Sequence, residues 1–195
     1  LFADTRYRLI VNGTVVAHGP GRFFVAKPEY DSHDIAPFLQ DGANVIAVAV
    51  NSYGSYTYHS EYSHGGFIAW GAVEANDGPA IDLATPGEWK ALDSPGHVPQ
   101  TAHLSFVLNQ GELLDGRRKP EGYGAPGFDD SAWPAAVPLD DQDHWGPLMP
   151  RTIPLLDERE VLPRERTATW AAKPHRDEDV YAFITLIRDG RCWRD

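Results

Sequence analysis

Arg6-Tyr7-Arg8-Leu9-Ile10-Val11-Asn12-Gly13-Thr14-Val15-Val16-Ala17 decides the fold class. Two β-rich runs flank Asn12-Gly13, and both of these residues tolerate the positive φ that a two-residue hairpin turn demands. Alternation puts Tyr7, Leu9 and Val11 on one face of the first strand. Gly19-Pro20-Gly21 then turns the chain toward a strand at Phe23 to Ala26. Asp34 to Leu39 reads as a short turn, and Asp41-Gly42 leads into Asn44 to Val50. That run is apolar on both faces, so it is expected to be a central strand covered on both sides. Phe67 to Val73 has the same character, and shorter strands are expected at Ala80 to Leu83, Trp89 to Asp93 and Leu104 to Leu108. Sixteen Pro and eighteen Gly interrupt the chain every few residues, which breaks helices and favours short strands joined by turns. The expectation is an all-β protein, an antiparallel β-sandwich over residues 5–140 with almost no helix longer than two turns.

Composition supports a packed domain and narrows its partners. Hydrophobic residues make up 42%, enough for a core, and aromatics 11%, which suits a pleated surface and equally a sugar-binding one. The net charge of −11 would repel nucleic acid and anionic membranes but not a neutral glycan. The given residues contain no run of 18 apolar residues and no signal-peptide pattern, which leaves a signal further upstream open. Cys192 is the single cysteine, so no intrachain disulfide can form.

Beyond Trp145 the character changes. Gly146 to Pro154 is rich in Pro and should be extended, and residues 157–179 carry many charges and few large apolar side chains, as a linker does. Val180 to Ile187 reads as a fresh strand ending in Asp189-Gly190. The expected organisation is a sandwich over residues 1–145, an extended segment and linker over 146–179, and the first strand of a following domain over 180–195. The opening Leu1-Phe2, just ahead of a strong strand, fits a fragment of a longer protein. The linker is expected to be the first point of proteolytic cleavage.

Three segments carry a family resemblance. Tyr7 to Gly13, followed by Asp31 to Leu39 and Gly42-Ala43-Asn44-Val45-Ile46-Ala47-Val48, resembles the strand–hairpin and G-x-N-x-I pattern of galactose-binding-like jelly rolls in glycoside hydrolases. Gly127-Phe128-Asp129-Asp130-Ser131-Ala132-Trp133 is similar to the aromatic-Asp-Asp-Ser-x-Trp turn of such accessory domains. Leu148-Met149-Pro150-Arg151-Thr152-Ile153-Pro154-Leu155-Leu156 resembles the Pro-Arg-x-Ile-Pro segment that leaves the N-terminal sandwich of α-L-rhamnosidase-like glycoside hydrolases. The resemblance implies a galactose-binding-like jelly roll. It also implies a parent that hydrolyses terminal α-L-rhamnosyl linkages in a later (α/α)₆ barrel, with no catalytic residue carried over to this chain.

The residues themselves leave a short set of chemical alternatives. Asp129-Asp130-Ser131 reads as a turn cap anchored by Phe128 and Trp133, with calcium ligation and a catalytic acid pair as alternatives. A glycosidase pair needs carboxyls facing each other across a sugar, and adjacent residues usually point apart. His59, Glu61 and His64 place two imidazoles and a carboxylate within a zinc ligand's reach, but Gly65-Gly66 argues against the helix that a His-Glu-x-x-His site needs. In the polar loop from Asn51 to Gly66, Asn51, Tyr53, Tyr56, Tyr58, His59, Glu61, Tyr62 and His64 offer stacking faces and hydrogen-bonding groups. These residues are the candidate carbohydrate site, the alternative being that the tyrosines pack on other domains of the parent. No catalytic or metal residue is assigned and no cofactor is expected, structural calcium being the one exception considered. The expected role is a non-catalytic accessory domain. A carbohydrate-binding module acting by itself is the alternative.

Overall fold

In the computed structural model the described residues are 1–58, 60–74, 78–99, 101, 105, 108, 110–140, 144–159 and 161–165. Leu1–Leu156 and Asp157–Asp195 form separate compact units. In the second, residues 157–159 and 161–165 are described and contain no strand or helix. The linker expected at 157–179 falls mostly, and the strand expected at 180–187 entirely, outside the described residues.

The first unit is an all-β sandwich. Strand β1 (Phe2–Asp4) pairs with β6 (Gly66–Ile68), and β2 (Arg6–Val11) lies between β3 (Thr14–Gly19) and β5 (Ile46–Asn51). The hairpin forms where its turn chemistry requires, with Asn12 at φ 49° and Gly13 at φ 82°. A bulge between Leu9 and Ile10 shifts the β2–β3 register. The β2–β5 register sets Tyr7, Leu9 and Val11 opposite Val50, Val48 and Ile46. Their common face meets Ala3, Phe67 and the Ile35–Leu39 turn, which contains a 3-10 helix at Ala36–Phe38. Tyr7, Leu9, Val11 and Ala3 are the fully buried centre of this layer.

The G-x-N-x-I segment works as a polar staple. Asn44 Nδ2 donates to the carbonyls of Gln40 and Gly42, and its Oδ1 accepts from Gln40 N and Asn12 Nδ2. Asn12 in turn donates to Phe38 O and accepts from Val45 N at 2.9 Å. The hairpin turn and the loop before β5 therefore share one hydrogen-bonded hub.

Several strands differ from the reading of the sequence. β5 is an edge rather than a central strand, since β2 is its only partner among the described strands. Nor is it covered on both sides: Ile46 to Ala49 are half-buried, and Val50 and Asn51 are exposed. Phe67 to Val73 is two strands, β6 and β7 (Ala72–Val73), the latter pairing with β8 (Ile81–Asp82). The ladder breaks at Ala69, whose N–H and carbonyl both bond to Thr85, and at Gly71, whose φ of 149° suits only glycine. Phe23 to Ala26 forms a tight turn closed by Lys27 N on Phe24 O. Trp89 to Asp93 keeps one bridge, Lys90 to Ala135. Trp70, in the run between β6 and β7, is exposed and packs edge-on against Tyr30. Trp89 is partly buried and donates to Leu83 O.

The chain leaves the sandwich as a strap, residues 144–156. Gly146 N, Met149 N and Arg151 N bond to the carbonyls of Val25, Pro28 and Tyr30, so β9 (Met149–Pro150) runs parallel to β4 (Glu29–Tyr30). Gly146 sits so close to this neighbour that an added Cβ would fall 2.0 Å from Ala26 O. The Pro-rich stretch is extended, as its composition predicts, and this parallel pair is an addition to the antiparallel scheme.

Candidate functional site: an aromatic loop and two buried carboxylates

The 51–66 loop joins β5 to β6, and its stem is held tightly. Thr5 N bonds to Asn51 O, and Tyr53 N to Thr5 Oγ1. Gly65 lies against Ser52, where a Cβ would meet Ser52 Oγ at 2.6 Å. Halfway out, Thr57 N bonds to Ser60 O and their hydroxyls lie 2.8 Å apart, making a small secondary turn. This bracing leaves the tyrosine rings at the rim. Tyr56 is 73% and Tyr62 47% exposed, with ring centroids 6.0 Å apart and planes tilted by 33°.

The loop's residues separate into groups. Tyr56, Tyr62 and His64 come together, His64 meeting Tyr62 edge-on at 5.9 Å. Tyr58 is exposed with the Arg22 guanidinium 5.8 Å above its ring. Glu61 accepts Val25 N at 2.8 Å, so one carboxylate oxygen already tethers the loop. Asn51 is exposed at the end of β5, and Tyr53 is half-buried at the stem. His59 lies outside the described residues. No three His, Cys, Asp or Glu side chains gather as a metal site among the described residues.

Two carboxylates are buried in this unit, Asp4 beneath the loop and Asp31 between β2 and the strap. Asp4, at the end of β1, accepts Trp145 Nε1 at 2.7 Å, Thr5 Oγ1 at 3.1 Å and the Ser63 hydroxyl. His144 Nε2 lies 3.2 Å from Ser63 Oγ. Ser63 has one proton and gives it to Asp4, so the imidazole must be the donor in that contact. Asp31 is built the same way. It pairs with Arg151 Nη1 at 2.9 Å and accepts the Tyr7 hydroxyl, which in turn receives His33 Nε2 at 2.8 Å. Gly19 makes room for this cluster, since a Cβ there would lie 2.3 Å from Asp31 Oδ2. In both clusters imidazole donates to hydroxyl and hydroxyl to carboxylate, with the strap supplying Trp145 to one and Arg151 to the other.

The Asp129-Asp130-Ser131 turn is structural. Ser131 N bonds to Asp129 Oδ1 at 3.0 Å, and the Ser131 contacts hold the Asp129 carboxyl below its ordinary range. Asp130 pairs with Lys90 at 2.7 Å. Phe128 and Trp133 meet edge-on at 5.6 Å behind the turn. Sequence reasoning missed Asp4, Ser63, His144 and Trp145 as one cluster. They come together across as many as 141 positions, and no local pattern signals that.

Comparison with known proteins agrees with this architecture. A family model described as the α-L-rhamnosidase N-terminal domain matches residues 5–152. An α-L-rhamnosidase of Streptomyces avermitilis is 28% identical over 111 residues, covering 54% of this chain and 10% of that protein. The crystal structure of a GH78 family rhamnosidase of Bacillus sp. GL1 superposes with a TM-score of 0.65 at 33% identity, covering 78% of this chain and 16% of the other. An α-L-rhamnosidase structure from Dictyoglumus thermophilum has a TM-score of 0.60 over 78% of this chain and 17% of its own, and at 24% identity it shares the fold. The chain thus spans a tenth of the curated relative's length. With the family model matching most of its length, the chain belongs to the α-L-rhamnosidase N-terminal domain family.

Proposed function

We propose that this domain is the non-catalytic accessory sandwich of an α-L-rhamnosidase-like glycoside hydrolase, whose parent reaction is hydrolysis of terminal α-L-rhamnosyl linkages. The observation that carries this reading is the state of the two buried carboxylates. Asp4 and Asp31 are each taken up by donors from within the domain. Glycoside hydrolysis needs two carboxyls facing each other across about 5–9.5 Å of open cleft. Carboxylates saturated by tryptophan, serine, tyrosine and arginine serve as fasteners between strands. The test is release of chromophore from aryl α-L-rhamnosides by the purified chain. No release above buffer is expected, and turnover that copurifies with the chain and vanishes on replacing one of its carboxylates would overturn the reading.

The exposed tyrosines support a second element, saccharide contact through the 51–66 loop. Aromatic faces stack on the C–H patches of sugars, and His64 stands beside them to meet a hydroxyl. A shallow site with one or two stacked rings gives affinity in the millimolar to high micromolar range, about −4 to −6 kcal/mol. Amide shifts during titration with L-rhamnose or galactose should cluster on this loop and be lost in Tyr62→Ala. Other domains of the parent are the competing occupant of this surface.

A further inference from the structure

We infer that the saccharide site is composite: the strap completes it through His144, which positions His64 and, through it, Tyr62. This rests on the saccharide reading of the loop. The rings form an unbroken row from solvent to core. Tyr56 and Tyr62 are 6.0 Å apart, Tyr62 and His64 5.9 Å, His64 and His144 4.5 Å, and His144 and Trp145 5.1 Å. Trp145 then donates to buried Asp4, and His144 donates to Ser63, which is itself held by Asp4. The first three rings belong to the loop and the last two to the strap. The two segments are separated by some eighty positions in the chain and meet at the His64–His144 contact.

Two consequences follow from that seam. The loop carries its own contacts at the Asn51 and Tyr53 stem, in the Thr57–Ser60 turn and through Glu61 on Val25, but the ring row leans on His144. A sugar on Tyr56 and Tyr62 is therefore bound by a surface whose backing is anchored in the strap. Linkage is reciprocal: if strap docking tightens sugar binding, sugar binding tightens strap docking by the same factor. The residues that leave the sandwich thereby register whether the loop is occupied. His144 is a positioning residue, since the ring that meets the sugar is Tyr62.

The experiment uses the full chain, with L-rhamnose and galactose as probes. Amide shifts give affinity, and hydrogen exchange is followed at Gly146, Met149 and Arg151, whose N–H groups hold the strap to Val25, Pro28 and Tyr30. A saturating sugar is expected to slow exchange at these three amides. Loss of one aromatic pair in His144→Ala is expected to weaken binding about two- to tenfold. His144→Phe, which keeps a ring but not the Nε2 donor, should recover most of that loss. Unchanged strap exchange in the wild-type chain with sugar bound at the loop would overturn the composite site and leave the loop reading standing. Equal affinity of wild type and His144→Ala would do the same. No response of the wild-type chain to either sugar would remove the loop reading and the composite site with it. The wild-type exchange measurement decides the matter even where His144→Ala fails to fold.

Discussion

Replacing Asp31 with Asn tests how much the strap is held by buried charge. Asp31 is 0% and Arg151 8% exposed, so water cannot solvate the guanidinium once its partner is neutral. The Asn amide can keep its oxygen on Arg151 only by turning its NH₂ toward Tyr7, whose hydroxyl proton must then turn to His33 Nε2 in the other imidazole tautomer. Breaking a buried pair from one side costs about 3–5 kcal/mol, and in a domain of this size 3 kcal/mol lowers Tm by roughly 6–12 °C. The exposed pair Lys90–Asp130, with side chains 36% and 53% exposed, is the internal control. Asp130→Asn should cost below about 1 kcal/mol because solvent screens both groups. Thermal and urea unfolding followed by tryptophan fluorescence measure both variants. Removing the Arg151 charge as well, in Asp31→Asn/Arg151→Met, should cost less than the sum of the single changes. An Asp31→Asn chain that melts within about 2 °C of wild type, or no lower than Asp130→Asn, would refute the reasoning.

Gly146→Ala should loosen the strap, because its Cβ would lie 2.0 Å from Ala26 O and backbone must move; the expected loss is about 1–3 kcal/mol in urea unfolding, with faster exchange at Met149 N. Ser131→Ala should return the Asp129 carboxyl toward its ordinary value, since the Ser131 side chain is the main cause of the depression. Carbon-detected NMR titration of Asp129 reads this directly. Because the folded value is depressed, any stabilisation from this contact is present above the ordinary carboxylate range and lost as pH falls through the depressed value.

Local chemistry was legible in the sequence where it acts locally. Asn12-Gly13 demands its turn wherever the chain goes, Asp129 and Ser131 close their own bend, and Pro147, Pro150 and Pro154 keep the strap extended. Partner choice was not legible. Glu29–Tyr30 and Met149–Pro150 are short, ordinary stretches that form strands only by meeting each other. The edge position of β5 likewise depends on which strands reach it, not on its own residues. Asp31 and Arg151 both fell within segments that carried the family resemblance, yet their pairing across 120 positions needed the folded chain. The aromatic loop stood out by composition. That Glu61 is spent on Val25 and that His64 leans on His144 are facts of packing, which a polar, ring-rich stretch leaves open.

Asp31 also sets the mechanics of the domain. Its N–H and carbonyl exchange hydrogen bonds with Leu1, while its side chain grips Arg151. Tension applied between the first strand and the strap would therefore run through Asp31 and the neighbouring Asp4–Trp145 bond, and bypass the β3-β2-β5 sheet. The junction would act as a mechanical fuse, parting under load while the hairpin and its core stay folded. Leu1 and Arg151 are thereby brought side by side at Asp31, so load between them would not thread the core.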